Sequence, residues 1–273
     1  MFPPSRRSLA HAVLSLIALV LCEVFCEPFV IASRAETAEE WLRRSQAARF
    51  PGQDMRARFV MRIDRADGTR LKRTGVSLRR TRSDGLADRL FVVRSPTSLA
   101  GLALLSLDQP AKPASQWLYL PTYRRARRVA LHGTGDAYIG SDFIYADLGS
   151  VQVEAGRHSL GGSTEVGGRA CVVVETINED PSLPYHRYVS MLDRENVLPL
   201  RVEYYDEDNR MTRVLGLERI TEIQGWLTPL RLSMTNQLDG GRSIIKLENV
   251  QYDVGLEPSL FTVESLEKAE SGE

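Results

Sequence analysis

Disulfide chemistry is the first thing this sequence lacks. Of three cysteines in 273 residues, Cys22 and Cys26 fall in an apolar leader, which leaves Cys171 alone in the rest of the chain. A single thiol in the run RACVVVET forms no internal bridge and reads as a buried structural group rather than a nucleophile. The remainder must therefore be held by its own apolar core. Charge of one sign is also missing: 35 Lys+Arg balance 35 Asp+Glu, so no global field draws the chain to nucleic acid. His132, His158 and His186 stand apart, with no C-x-x-C or H-x-x-x-H spacing, which argues against a metal centre. The run GTGDAYIG has neither the preceding β-strand nor the lysine of a phosphate loop. Nothing in the sequence calls for a cofactor.

Nucleophilic catalysis has one candidate. Ser141 lies beside Asp142, with His132 nearby in sequence, but it is flanked by Gly140 and by Asp142-Phe143 rather than set in G-x-S-x-G. The alternating β/α pattern that presents such a serine is also absent, so an esterase ranks last among the functional readings and the chain is read as a non-enzyme. The other reading of the same residues is structural. Ser141 is an N-cap residue, Asp142 sits where a helix dipole favours an anion, and Gly149 suits the position after the last turn. This predicts a short helix over 142–148, with Ile144 and Leu148 on one face.

What is present begins with an export signal. Arg6 and Arg7 precede an apolar run from Leu9 to Leu21, and the small residues Ser33 and Ala35 offer cleavage before Glu36. Leu21 and Phe25, the residues before Cys22 and Cys26, are too bulky for a lipid-attachment motif. The expected organisation is a signal peptide over 1–35 and one domain over 36–273. That domain starts with a helix: Thr37 and Glu40 form a capping box, and Trp41, Leu42, Ser45 and Ala48 make one stripe.

From Met55 the period changes to two. Met55, Ala57, Phe59, Met61 and Ile63 alternate with Arg56, Arg58, Val60, Arg62 and Asp64, and Asp67-Gly68 turns the chain into a second strand at 70–80. Further strands are expected at 90–93, 102–107, 116–120, 128–131, 170–176, 188–193, 199–205, 213–220, 228–236 and 243–252. Turn signals separate them, among them Gly161-Gly162, Gly167-Gly168 and Asp239-Gly240-Gly241. No repeat or interdomain linker interrupts the series. A mainly β (α+β) domain, one strongly curved antiparallel sheet, accounts for this spacing.

The run WLYLPTYRRARRVAL (Trp117 to Leu131), followed by GSDFIYADL (Gly140 to Leu148) and closed by LEPSLFT (Leu256 to Thr262), resembles the LolA-like outer-membrane lipoprotein-sorting proteins. It is most similar to the branch found beside RND/MMPL-type exporters. The matching positions are Tyr119, Pro121, Gly140, Ser141, Asp142, Phe143, Tyr145 and Asp147. The resemblance implies an unclosed antiparallel β-barrel of about eleven strands with covering helices. It also implies a hydrophobic cavity for acyl chains, a periplasmic location, a lipoprotein or lipid as cargo, and an inner-membrane RND/MMPL-type exporter as a possible partner. A non-carrying accessory module of an export complex is the second reading. For the lining we expect Met55, Phe59, Met61 and Ile63 from the first strand, with Leu102, Leu104 and Trp117 from the central hairpin, although the same residues could fill a dry core. Arg124, Arg125, Arg127 and Arg128 are either a solvated edge or a docking patch for an acidic surface or lipid headgroup.

Overall fold

The computed structural model describes residues 36–49, 51–110, 112–130, 134–149, 153–179 and 184–268. The expected signal peptide, Cys22, Cys26, Leu131 and His132 lie outside the described residues. Helix α1 (Ala38–Arg49) begins as its capping box requires. The Thr37 N–H donates to Glu40 Oε2 at 2.7 Å, and the Glu40 N–H donates to Thr37 Oγ1 at 3.2 Å, so two orphan donors of the first turn are satisfied reciprocally. Its apolar stripe, Trp41 and Leu42 with Ser45, is buried. It packs on Val172, Val174, Leu192 and Val197.

Thirteen strands follow: β1 (Asp54–Asp64), β2 (Arg70–Thr81), β3 (Ala87–Ser95), β4 (Ala103–Gln109), β5 (Lys112–Leu120), β6 (Arg125–Arg128), β7 (Gly156–Val166), β8 (Arg169–Asn178), β9 (Arg187–Asp193), β10 (Pro199–Tyr205), β11 (Met211–Ile223), β12 (Trp226–Asn236) and β13 (Arg242–Tyr252). They form one antiparallel sheet in the order β6-β5-β4-β3-β2-β1-β13-β12-β11-β10-β9-β8-β7. Every neighbour in that order is also a neighbour in sequence except β1 and β13, which join a six-stranded meander to a seven-stranded one. The outermost strands, β6 and β7, are consecutive in the chain yet unpaired, so the sheet is not closed.

The count of about eleven strands is thus corrected to thirteen, and two assignments change. The strand expected at 128–131 is found at Arg125–Arg128. Gly161-Gly162 is not a turn: it forms a bulge inside β7, where the register jumps from Leu160↔Val174 to Ser163↔Val172 and Gly162 takes φ +91°. A glycine pair can absorb the extra residues without breaking the strand.

Both faces of the first meander are covered. Leu102 and Leu104 belong to the main core with Phe59, Met61, Ile63, Val93, Leu215, Leu217 and Met234. Their neighbours Ala103 and Leu105 face the other way, onto Phe261 and Leu266 of the closing turn and helix α2 (Val263–Lys268). Because the main core collects side chains from β1, β3, β4, β9, β10, β11 and β12, the sheet must curl so that its two halves face each other.

Candidate functional site

Between the two halves lies a cavity of about 280 Å³. Helix α1 supplies Leu42, Ser45, Gln46 and Arg49 to its wall. The sheet supplies Met55 (β1), Phe91 (β3), Val202 (β10), Leu215 and Leu217 (β11), Leu232 (β12) and Ile245 and Leu247 (β13). The wall is chiefly apolar, as a site for a greasy ligand must be, with a few convergent polar groups.

Residues 134–149, between β6 and β7, carry the motif positions from Gly140 to Asp147 and contribute Thr134, Phe143, Ala146, Asp147 and Leu148 to the cavity wall. Ala137 and Ile144 form an isolated antiparallel bridge, and the Tyr138 N–H donates to the Phe143 carbonyl at 2.8 Å, closing a tight loop. Within it Gly140 takes φ +74°, a conformation that suits glycine. The Ser141 hydroxyl donates to the Tyr138 carbonyl at 2.7 Å and is buried. It therefore caps the end of a 3₁₀ turn at Tyr138–Gly140 rather than starting a helix. The helix expected over 142–148 is absent; a 3₁₀ turn occupies Tyr145–Leu148. Seven residues are too few to nucleate an α-helix that lacks support, and this segment's side chains are committed elsewhere. Asp142 is one of these: its N–H donates to Ser243 Oγ at 2.9 Å and its carboxylate accepts from the same hydroxyl at 2.6 Å, which pins the loop to β13.

Asp147 is the second anchor. Its Oδ2 accepts the Ile144 N–H at 2.9 Å, and its Oδ1 accepts the Tyr185 hydroxyl at 3.0 Å. Tyr185 in turn stacks on Tyr204, with ring centroids 4.2 Å apart. Asp147 lines the chamber, and burial pushes its carboxyl up to about 6 against the opposing pull of the Ile144 N–H, the Tyr185 hydroxyl, Arg213 and Arg49. A carboxyl raised in the fold favours the protonated folded state. That contribution is complete below the unfolded value of about 3.9 and is lost as pH rises through about 6. Denaturant titrations of Asp147→Asn and the parent chain should therefore diverge between pH 4 and pH 7, the variant gaining about 2 kcal/mol relative to the parent. A difference that stays flat with pH would show that Asp147 is solvated.

The remaining polar wall is basic. Arg49, Arg79 and Arg89 all line the chamber, and Gln116 donates from Nε2 to the Tyr145 carbonyl at 2.7 Å. Arg79 donates to Thr81 Oγ1 at 2.6 Å and to the Pro51 carbonyl. Burial, with Arg89 nearby, lowers it to about 10. Arg89 is ion-paired with Asp108 at 2.8 Å, both side chains almost wholly buried. Arg49 is lowered first by burial, with Arg89 adding to that effect and Tyr204 and Asp147 opposing it.

Of the lining residues expected from sequence, Met55 is in the chamber wall. Phe59, Met61, Ile63, Leu102 and Leu104 are packed in the main core instead. Trp117 sits against the cluster under α2, on the other face of the sheet. Among the motif residues, Phe143 and Asp147 line the chamber, while Tyr145 makes an edge contact with Tyr138 at 5.8 Å. Tyr119 is buried toward α2, and Pro121 opens the 3₁₀ turn Pro121–Tyr123. Arg124, at the end of the preceding turn, and Arg125, Arg127 and Arg128 of the edge strand β6 are exposed, and Arg127 lies over the Tyr123 ring at 5.4 Å. Cys171 is buried, as expected of a structural thiol. Sequence reasoning missed the tyrosines at 185, 188 and 204 and the three chamber arginines. The arginines look like surface residues because each is one of many on alternating strand positions.

A β-shell that curls around an apolar chamber without closing, with one helix in the chamber wall and a side loop pinned across it, is the class of protein these features define. A family model described as "uncharacterized protein" matches residues 85–268. Three solved structures share the architecture. A DUF1329 family protein from Desulfovibrio piger is 25% identical with a TM-score of 0.79, covering 84% of this chain and 97% of its own. A domain assigned to the outer membrane lipoprotein-sorting proteins, from Vibrio parahaemolyticus, is 24% identical with the same TM-score and coverage. A LolA superfamily protein from Nitrosomonas europaea is 19% identical with a TM-score of 0.68, covering 84% of this chain and 98% of its own. No curated protein matches the chain. The chain belongs to the family that this model describes, and its fold is LolA-like.

Proposed function

We propose that the protein is a periplasmic, non-enzymatic carrier that shelters acyl chains of a lipid or lipoprotein on the way to the outer membrane. The observation that carries this reading is the chiefly apolar chamber between α1 and the unclosed sheet. At about 0.8 kcal/mol per CH₂, a chain of roughly sixteen carbons costs on the order of 12 kcal/mol to hold in water. A soluble carrier must supply an apolar space of this kind, and its structural relatives among the lipoprotein-sorting and LolA superfamily proteins agree with that use. Ser141 supports the non-enzymatic side, since its hydroxyl proton is engaged by the Tyr138 carbonyl.

Mass spectrometry of organic extracts should find lipid co-purified with the protein from an envelope fraction, and the purified chain should take up a fluorescent fatty acid. Leu217→Trp, which places a large ring in the chamber wall, should abolish uptake while leaving the protein folded. An empty extract together with no uptake would overturn the carrier and favour the accessory-module reading.

The exposed arginines of β6 and the turn before it suit a contact with an acidic partner, an RND/MMPL-type exporter or an anionic membrane. Each arginine near an anionic surface contributes on the order of 1 kcal/mol. Arg124→Glu combined with Arg127→Glu should therefore weaken binding to phosphatidylglycerol-containing vesicles about tenfold or more with no change in melting temperature. Undiminished vesicle binding would sink the docking role.

A further inference from the structure

The face of the sheet turned away from the main core carries a second concavity. Phe59, Met61 and Ile63 of β1 point into the core, so the alternating Arg56 and Arg58 lie on the opposite face, where both are exposed. Around them a depression of about 340 Å³ spans β13, β1, β2 and β3. Arg56, Arg58, Thr74, Arg94, Asn249 and Gln251 line it.

Two bulges build this depression. In β13 the register moves from Arg56↔Gln251 to Arg58↔Glu248, so Ala57 stands opposite two residues, Asn249 and Val250. Val250 packs with Ala57 and Tyr252, and Asn249 is the extra residue, at φ +51°. Asparagine is one of the few side chains that take this conformation readily. In β3 the register moves from Thr74↔Ser95 to Gly75↔Val93, which leaves Arg94 with no opposite residue on β2. A bulge re-aims its extra side chain out of the regular alternation. These two stand on either side of the β1–β2 ladder, and both reach the same depression.

Three guanidinium groups meet one carboxylate here. Glu248 is ion-paired with Arg58, whereas Arg56 and Arg94 make no ion pair among the described residues. Three positive charges less one negative leave two in excess, and like charges on neighbouring strands repel each other until an anion sits between them. A guanidinium fork meets a phosphate in paired hydrogen bonds, and a phosphate monoester carries nearly two negative charges at neutral pH. Thr74, Asn249 and Gln251 add uncharged groups able to hydrogen-bond the polar remainder of such a molecule. Val76 is the largest apolar side chain in the lining, so nothing there favours a hydrocarbon tail.

We propose that this depression binds a phosphate monoester, its phosphate held by Arg56 and Arg94 with Arg58 beside them, and its hydroxyl-bearing remainder against Asn249 and Gln251. The site lies on the face of β1 opposite the main core and does not depend on the carrier reading. Its chemistry has two sources, a soluble phosphorylated polyol and the head group of a lipid such as phosphatidate.

Each source has its own arm in the test, and both use the purified protein at physiological salt. Calorimetric titration compares glycerol phosphate with glycerophosphoglycerol, the corresponding diester. Co-sedimentation compares phosphatidylcholine vesicles carrying phosphatidate with vesicles carrying phosphatidylglycerol at equal total charge. In at least one arm the monoester should bind about tenfold or more tighter than the diester, the size expected when hydrogen bonds gain a charged partner. The arm that shows the preference identifies the source. Arg56→Gln combined with Arg94→Gln should abolish the preference without changing the melting temperature, since both side chains are exposed. Asn249→Gly keeps the positive φ and removes only the side chain, and it should weaken monoester binding in a fully folded protein. Equal binding of monoester and diester by the parent chain in both arms would overturn the site, a result that needs no variant. A preference that survives the double substitution would overturn it as well.

Discussion

Asp108→Ala is expected to destabilise the protein by about 3–5 kcal/mol, enough to abolish cooperative folding of a marginal domain at physiological temperature. Asp108 is itself almost fully buried; one oxygen accepts from Arg89 Nη1 at 2.8 Å and the other accepts the Ala87 N–H at 3.2 Å. Removing the carboxylate leaves a guanidinium in the wall of the sheet with its charge uncompensated, and that desolvation is the main source of the loss. The pair as a unit need not be stabilising. Asp108→Leu combined with Arg89→Met should therefore recover most of what the single change loses, measured as the denaturant midpoint. A single-variant loss under about 1 kcal/mol would mean that water reaches Arg89, and the chamber wall would then be wetter than its packing indicates.

Gly75→Val should be nearly as damaging, for a steric reason. Gly75 lies in β2 directly opposite Phe59 of β1. A Cβ added there would stand 2.1 Å from the Val92 carbonyl oxygen and 2.6 Å from the Phe59 ring. The ring occupies the space a side chain would need, and the carbonyl belongs to the neighbouring strand, so neither can withdraw without loosening the ladder. Overpacking of this kind costs about 3 kcal/mol. Gly75→Ala with Phe59→Leu should restore part of the loss by freeing the ring's space, though not all of it, because the Val92 oxygen stays. Full stability of Gly75→Ala alone in thermal unfolding would contradict this packing.

Much of the architecture could be read from local signals because the physics there is local. The Thr37–Glu40 box, the Asp67-Gly68 hairpin and the alternation from Met55 to Ile63 each depend on a few adjacent residues, and each appears in the structure where expected. The readings that failed depend on distant partners. Ser141-Asp142 has the composition of a helix start, yet Asp142 is claimed by Ser243, a hundred residues away in sequence, and no local rule foresees that. The wall of the chamber was hidden for a related reason. In β2 the buried Ser77 and Arg79 line the chamber, and Leu78 between them also packs against the cluster under α2. Where a second layer covers the sheet from outside, greasy side chains are needed on both faces, so polar ones can be among those turned inward and alternation alone does not mark the chamber side.

The joining of β1 to β13 bears on how the chain acquires its structure in time. Strands β1 to β6 and β7 to β13 can each zip up hairpin by hairpin, with short loops and little entropy lost at each step. The seam between them brings Met55 to Tyr252 and Asp64 to Arg242, and it cannot begin until nearly the whole chain has emerged. During that interval β1 offers an open row of amides and carbonyls beside the apolar side chains of Phe59, Met61 and Ile63. That is the pattern through which strands of separate molecules recruit each other. A chain cut short before Arg242 is left in that condition permanently, so nascent and truncated forms depend on rapid completion or on a chaperone in a way the finished protein does not.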